Sequence, residues 1–98
     1  MKRSRTAGRK MRIWFRQFKE NRMVRDITVE DYERDTRTHK IVTGLEKACR
    51  EMDLSVPIWL DINISDFKRN AKCRFYQDSF VDEIPFDYLE VQVIEEDL

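Results

Sequence analysis

The chain has few glycines, cysteines and histidines, and each scarcity removes a class of function. Of its 98 residues only two are glycine, Gly8 and Gly44. A glycine-rich loop that holds phosphate groups is therefore excluded, because such a loop needs several glycines close together. No apolar run approaches the roughly 20 residues that a membrane-spanning helix requires. The first ten residues lack the apolar centre of a signal peptide, so we expect a cytoplasmic protein that does not bind a membrane.

The two cysteines and the one histidine form no recognisable catalytic or metal-binding motif. Cys49 and Cys73 have no neighbour at C-x-x-C spacing, and both fall at apolar positions of predicted elements. This favours two buried thiols in a reducing compartment over a disulfide or a metal pair. His39 has no obvious acid or cysteine partner in the sequence, which favours a surface histidine over a catalytic one. We expect no cofactor, no metal ion and no enzymatic activity.

Positive and negative charges are concentrated at opposite ends of the chain. Residues 1–25 contain ten lysines or arginines and one acid, whereas residues 75–98 contain eight acids and no base. The formal net charge of the whole chain is nevertheless zero. This polarity indicates either a basic end that binds a partner or two ends that meet in the fold.

Residues 1–10 differ in composition from the rest of the chain. They carry five positive charges and no acid, and they have almost no apolar side chain to bury. We therefore expect a disordered basic arm over residues 1–10. Met11 opens the first apolar segment and is a candidate start of translation. The composition of residues 1–10 fits a native tail and an extension added before Met11 equally well. Residues 11–98 have the length of one domain, and the 41% apolar content of the chain suffices for one core.

Residues 35–54 predict the helix on which the rest of the chain packs. Asp35 or Thr36 can cap its start, and Lys40 and Lys47 lie outside its apolar arc of roughly 120°. The arc consists of Ile41, Val42, Leu45, Ala48, Cys49 and Met52. A shorter helix is predicted from residue 63 or 65 to residue 70, with Ile64 and Phe67 facing inward.

The remaining apolar segments predict strands and connections. Alternating β-branched and aromatic residues favour a hairpin over residues 11–31 and two strands over residues 72–78 and 87–95. The end of the core should be closed by Val56, Ile58, Trp59 and Leu60. The apolar connection over residues 79–86 must pack on the body or cover another surface. The order β-β-α-(short α)-β-β predicts an α+β fold, in which the main helix packs on one face of an antiparallel sheet of about four strands.

Cross-strand charges predict the register of the hairpin. A two-residue loop over residues 20–21 would place Arg16 opposite Arg25, and a three-residue loop over residues 20–22 places it opposite Asp26. Opposite charges contribute roughly 0.2–1 kcal/mol when they face each other, and like charges destabilise. We therefore predict the three-residue loop, in which Asp26 and Glu30 neutralise Arg16 and Arg12. The same register pairs Ile13 with Val29, Trp14 with Thr28, and Phe15 with Ile27.

The predicted sheet has more aromatic residues on its second face than one helix can cover. Our leading hypothesis is a small non-catalytic interaction domain, which binds a protein partner or itself through this aromatic face or through a strand edge. The candidate partner-binding residues are Trp14, Phe18, Tyr76 and Tyr88.

The alternative hypothesis is a nucleic-acid-binding protein that uses the basic arm and the hairpin. Rings can stack on bases, and cations can contact phosphates. The candidate residues for this function are Arg3, Arg5, Arg9, Lys10, Arg12 and Arg16. A weaker hypothesis is a metal-dependent nuclease, suggested by Asp53, Asp61, Asp66 and Lys68. Asp66 has a simpler explanation, because an acid near a helix N-terminus is stabilised by unpaired N–H groups.

Overall fold

The computed structural model describes residues 10–97, and its first element is a hairpin. Strand β1 (Met11–Lys19) pairs antiparallel with strand β2 (Arg22–Asp31). Arg12 faces Glu30 and Arg16 faces Asp26, so the predicted register is confirmed over this part of the hairpin. The predicted apolar pairs are confirmed as well: Ile13 with Val29, and Phe15 with Ile27.

The loop of the hairpin differs from the prediction. Glu20 and Asn21 form a two-residue turn, and both are left-handed, with φ of 52° and 66°. This is the geometry of a type I′ turn, whose twist matches that of the flanking strands. The pairing shifts between Gln17 and Phe18, because β2 carries an extra residue there, Val24. The bulge thereby restores the register that the three-residue loop was expected to produce.

Helix α1 (Arg37–Glu51) is the main helix, and it packs across β1 and β2. It begins after Thr36, whose Oγ1 accepts a hydrogen bond from the His39 N–H at 3.1 Å. Its buried stripe includes Ile41, Gly44, Leu45, Ala48 and Cys49. A Cβ at Gly44 would lie 3.1 Å from Ile13 Cδ1, so a larger residue there would require this side chain to shift by a few tenths of an ångström.

Helix α2 (Asp61–Asn70) packs beside strand β3 (Lys72–Phe75). It begins earlier than predicted because Asn63 Oδ1 accepts a hydrogen bond from the Leu60 N–H at 2.9 Å, which caps the first turn. Trp59 fills the space next to α2, and its ring meets the rings of Phe67 and Phe75 edge-on. Strand β3 ends at Phe75, before the predicted end, because residues 77–79 form a turn of 3₁₀ helix.

Strand β4 (Tyr88–Glu96) lies between β1 and β3, so the strand order is β2-β1-β4-β3. All three strand pairs are antiparallel, and the helices cover one face, which confirms the predicted α+β fold. Because β1 and β4 are neighbours, the basic beginning and the acidic end of the described chain meet: Lys10 O accepts a hydrogen bond from the Asp97 N–H at 2.9 Å. No helix within residues 10–97 has the length and the apolar character needed to cross a bilayer.

The apolar connection between β3 and β4 packs on the core. Phe80 and Phe86 are buried, and their rings meet edge-on with centroids 6.1 Å apart. The amide of Gln77 holds the connection at two points: it donates to Asp82 O and accepts from the Ile84 N–H, both at 2.9 Å. The connection therefore covers the end of the core and leaves the second face of the sheet uncovered.

Some predictions about burial were wrong. Four aliphatic residues that were expected inside are exposed: Val42, Val56, Ile58 and Ile64. Val42 and Ile64 line a groove of about 330 Å³ between α1 and α2, and Trp59 also lines this groove. Lys40 was expected at the surface but is 3% exposed. It lines a small cavity together with Asp35, Glu96 and Asp97, whose carboxylates favour a cation there.

Cys49 and Cys73 are free and buried, which confirms the prediction of two buried thiols. Burial raises the pKa of Cys49 to about 11 and that of Cys73 to about 12, because loss of water disfavours the thiolate. Neither thiol is therefore a nucleophile near neutral pH.

The left-handed backbone of Glu20 leads to a prediction about stability. A residue with a Cβ loses roughly 1–2 kcal/mol in this conformation, whereas glycine adopts it readily. We expect Glu20→Gly to raise the free energy of unfolding by about 0.5–1 kcal/mol, measured by urea denaturation. Glu20→Ala is the control, because it removes the same carboxylate and keeps the steric cost. An equal gain in both variants would show that the backbone of Glu20 is not strained.

Candidate protein-binding face

The candidate site is the face of the sheet opposite the helices, which we call the open face. In β1 the odd-numbered residues from Met11 to Gln17 are buried beneath the helices, and the even-numbered residues are half-buried on the other side. These even-numbered residues shield one another and contact the neighbouring strand: Arg16 lies over the rings of Trp14 and Phe18, and Phe18 stacks on Tyr88. The open face contains Arg12, Trp14, Arg16, Phe18, Met23, Asp26, Thr28, Glu30, Lys72, Arg74, Tyr76, Tyr88, Glu90, Gln92 and Glu95.

Three of the four predicted aromatic residues form a row at one end of the open face. The rings of Phe18 and Tyr88 stack with centroids 5.2 Å apart, and the ring of Tyr76 adjoins that of Tyr88 at 5.3 Å. We call these three residues the ring row. Trp14 lies on the other side of Arg16, whose guanidinium carbon is 3.9 Å from the tryptophan ring centroid. The structure therefore brings all four residues to one face, outside the buried core.

A buried carboxylate holds two arginines flat on the open face. Glu90 lies opposite Arg16 on one neighbouring strand and opposite Arg74 on the other. One carboxylate oxygen is 2.7 Å from Arg16 Nη2, and the other is 3.0 Å from Arg74 Nε. Because only 4% of Glu90 is exposed, these partners replace the hydrogen bonds that water would supply. The hydrogen bond to Glu90 also raises the pKa of Arg74, so this guanidinium stays charged.

Arg16 was predicted to pair with Asp26, and this part of the prediction was wrong. The two residues face each other, but Arg16 turns toward β4, where Nη2 also donates to Gln92 Oε1 at 2.6 Å. Asp26 instead accepts a hydrogen bond from Trp14 Nε1 at 2.9 Å. The reason is burial: Glu90 lies on an interior strand and is shielded from water, whereas Asp26 lies on the exposed edge strand.

Arg12 has a carboxylate on each side, and its predicted pairing with Glu30 is confirmed. Arg12 Nε is 3.3 Å from Glu30, and Nη1 is 3.3 Å from Glu95. Lys10 Nζ is 3.5 Å from the same Glu95 carboxylate. The described cations of the predicted nucleic-acid set therefore all contact carboxylates. The other members of that set, Arg3, Arg5 and Arg9, lie outside the described residues.

The sequence interpretation did not name Glu90, Arg74 and Gln92 among the candidate residues of this face. A signal was present, because Glu90 lies between the apolar residues Leu89 and Val91 and so must share a face with Tyr88. The alternation does not reveal which strand lies beside β4. The contact between Glu90 and Arg16 follows only from the observed strand order.

Both edges of the sheet are poor templates for an added strand. Along β3, Asn63 Nδ2 donates a hydrogen bond to the Arg74 carbonyl at 2.7 Å, so α2 protects this edge. Along β2, the bulge at Val24 interrupts the pairing surface, and charged residues are exposed on both sides of it. Bulges and charges are common means of protecting a strand edge. The open face is therefore the stronger candidate for binding than either edge.

One residue considered for catalysis has a partner that the sequence did not reveal. The side chain of Asp35 forms a hydrogen bond with His39 Nδ1, so the expectation of a histidine without an acid partner was wrong. The pair is exposed in the first turn of α1, where the helix turn brings residues four apart together. Asp61, Asp66 and Lys68 lie in α2, and Asp53 follows α1. Within residues 10–97, no three acid, histidine or cysteine side chains are arranged to hold a metal ion.

Comparisons of the chain with protein-family models, with curated proteins and with solved structures found no match. The function is therefore inferred from the geometry of the site.

The burial of Glu90 leads to a second prediction about stability. We expect Glu90→Gln to lower the free energy of unfolding by roughly 3 kcal/mol, because the amide leaves the largely buried Arg16 guanidinium without its counter-charge. Glu95→Gln removes a more exposed carboxylate from the same face and should cost less than about 1 kcal/mol. Chemical denaturation of the two variants measures the difference. Equal, small losses would show that the open face does not depend on Glu90.

The Asp35–His39 pair leads to a prediction about pH. The hydrogen bond between them raises the pKa of His39 above its ordinary 6.5 and lowers the pKa of Asp35 below its ordinary 3.8. The pair therefore stabilises the fold fully between these two ordinary values. Its contribution is lost as pH rises through the raised pKa of His39, and as pH falls through the lowered pKa of Asp35.

NMR titration of the His39 ring measures this effect. The pKa should exceed 6.5 in the unmodified chain and return toward 6.5 in Asp35→Asn. Glu51→Gln, which removes a carboxylate at the far end of α1, should leave it unchanged. An unaltered pKa in Asp35→Asn would contradict the assignment.

Proposed function

We propose that the protein is a small non-catalytic interaction domain whose open face binds a protein partner. The observation that carries the proposal is the ring row, which adjoins the two arginines held by Glu90. Tyrosine, tryptophan and arginine are the residues that most often dominate the binding energy of protein interfaces. On the open face, the aromatic and arginine side chains are held by their neighbours, so binding a partner would cost little additional side-chain entropy.

The charge balance of the open face supports a protein partner over a nucleic acid. A nucleic acid gains affinity when unmatched cations neutralise its phosphates and release the counterions condensed on them. Arg12, Arg16 and Arg74 each already have a carboxylate oxygen within 3.3 Å. A nucleic acid on this face would therefore also meet Glu30 and Glu95. Nucleic-acid binding through the basic arm and the hairpin stays the second hypothesis, and the experiment below distinguishes it.

A photoreactive amino acid at position 76 tests the proposal in cells. Tyr76 is 48% exposed at the end of the ring row, and Tyr32 is 54% exposed at the opposite end of the sheet, just after β2. Position 32 is therefore the matched control. We expect protein adducts from position 76 and few from position 32, identified by mass spectrometry. With the identified partner purified, Tyr76→Ala should weaken binding about tenfold or more, and Tyr32→Ala less than about twofold.

Three outcomes decide between the hypotheses. Adducts to another protein, or to a second copy of this chain, would support binding through the open face. Equal adducts from both positions would contradict it. Adducts to nucleic acid at position 76 would replace the proposal with the second hypothesis.

A further inference from the structure

A cavity of about 430 Å³ lies on the helix side of the sheet, between the α1–α2 connection and the β3–β4 connection. We call it the loop cavity. Part of its wall is apolar and is formed by Met52, Leu54 and Phe86. The rest of the wall is polar, and the chemistry of these polar groups indicates what the cavity binds.

Gln17 places an amide where the core pattern calls for an apolar side chain. It follows Met11, Ile13 and Phe15 in the series that β1 turns toward the helices, and it is only 8% exposed. Its side chain has no hydrogen-bond partner within residues 10–97, and it lines the loop cavity. Ser55 Oγ, in the same wall, is also buried without a partner in this part of the chain. Buried polar groups normally meet water or a ligand, because leaving them unpaired is destabilising.

The rim of the loop cavity is negative. It carries the carboxylates of Asp53, Asp82 and Glu83 and one cation, Arg25, so its formal charge is −2. Arg25 is already engaged, because Nη2 donates to Glu51 O at the end of α1, at 2.9 Å. The carboxylates therefore exceed the cations at a site that also offers the side-chain amide of Gln17.

The walls of the loop cavity are held in position. The Gln77 amide fixes the β3–β4 connection through Asp82 O and the Ile84 N–H. On the opposite wall, the pairing of β1 with β2 shifts between Gln17 and Phe18. Bulges of this kind are over-represented next to functional sites, where they redirect a side chain.

We propose that the loop cavity binds a cationic group, a guanidinium or a primary ammonium. The N–H groups of the cation donate to Gln17 Oε1, its charge is balanced by the rim carboxylates, and its aliphatic stem lies on the apolar wall. A neutral ligand would leave the carboxylates unmatched, and an anion would be repelled. The site is on the other side of the sheet from the ring row, so it does not depend on the function proposed above.

NMR titration of the full chain with n-butylguanidinium tests the proposal, with n-butylurea as the neutral control of the same shape. We expect saturable shifts of the Gln17 side-chain amide and the Ser55 N–H with the cation, and at least tenfold weaker binding of the urea. A blocked peptide with one arginine distinguishes the two sources of the group. Tighter binding of the peptide would indicate an arginine or lysine of a polypeptide, and weaker binding a small organic cation.

Variants of the cavity separate binding from stability. Gln17→Leu should keep the melting temperature or raise it, because it removes an unpaired buried amide, and should bind the cation at least tenfold more weakly. Glu83→Gln, at the exposed rim, gives a second test that does not touch the core and should weaken binding several-fold. Glu46→Gln on the surface of α1 is the matched control and should not change it.

The opposite results are equally clear. Equal binding of the cation and the urea would overturn the proposal, as would undiminished binding by both Gln17→Leu and Glu83→Gln. Titration without saturable shifts at Gln17 would show that the cavity holds water only, and would overturn it as well.

Discussion

The charge on Glu90 is the constraint on which the open face depends. This carboxylate is 4% exposed, and its partners among residues 10–97 are arginines from the two strands beside it, so it links β1, β4 and β3 across the middle of the sheet. Because both guanidinium groups turn inward to reach it, they lie over rings: Arg16 is 3.9 Å from the Trp14 centroid, and Arg74 is 4.6 Å from that of Tyr88. The half-burial of Trp14, Phe18 and Tyr88 follows from the same geometry, because each ring lies against an arginine or another ring of this face.

The strand order explains why the chain separates its charges along the sequence. Strand β1 comes from the basic beginning and β4 from the acidic end, and the two are neighbours in the centre of the sheet. Their register places Arg12 opposite Glu95 and Arg16 opposite Glu90. Three cations of the basic segment therefore contact carboxylates of the acidic segment within the described fold: Lys10 and Arg12 contact Glu95, and Arg16 contacts Glu90.

Much of the fold could be predicted from the sequence, because its signals are local. The hydrophobic stripe of α1 and the alternation in β1 and β4 each reflect the period of one element. The hairpin register was predictable because opposed charges distinguish it, although the turn was not: the bulge at Val24 compensates for a loop one residue shorter. The site depended on information that no local pattern contains. Glu90 could be assigned to the correct face, but its pairing with Arg16 required the strand order. Gln17 was overlooked because no local pattern shows that its side chain lines the loop cavity.

The two proposed sites lie on opposite faces of one sheet, and adjacent residues of β1 contribute to them: Phe18 to the ring row and Gln17 to the loop cavity. The central claim is that the Glu90 carboxylate stabilises the Arg16 guanidinium as its counter-charge. A double-mutant cycle with Glu90→Gln and Arg16→Met tests this claim most directly. If the two groups form one unit, their coupling energy should exceed about 1 kcal/mol, and the double variant should lose less stability than the two single losses added together. Strictly additive losses would show that the guanidinium and the carboxylate contribute independently, and the open face would then need another explanation.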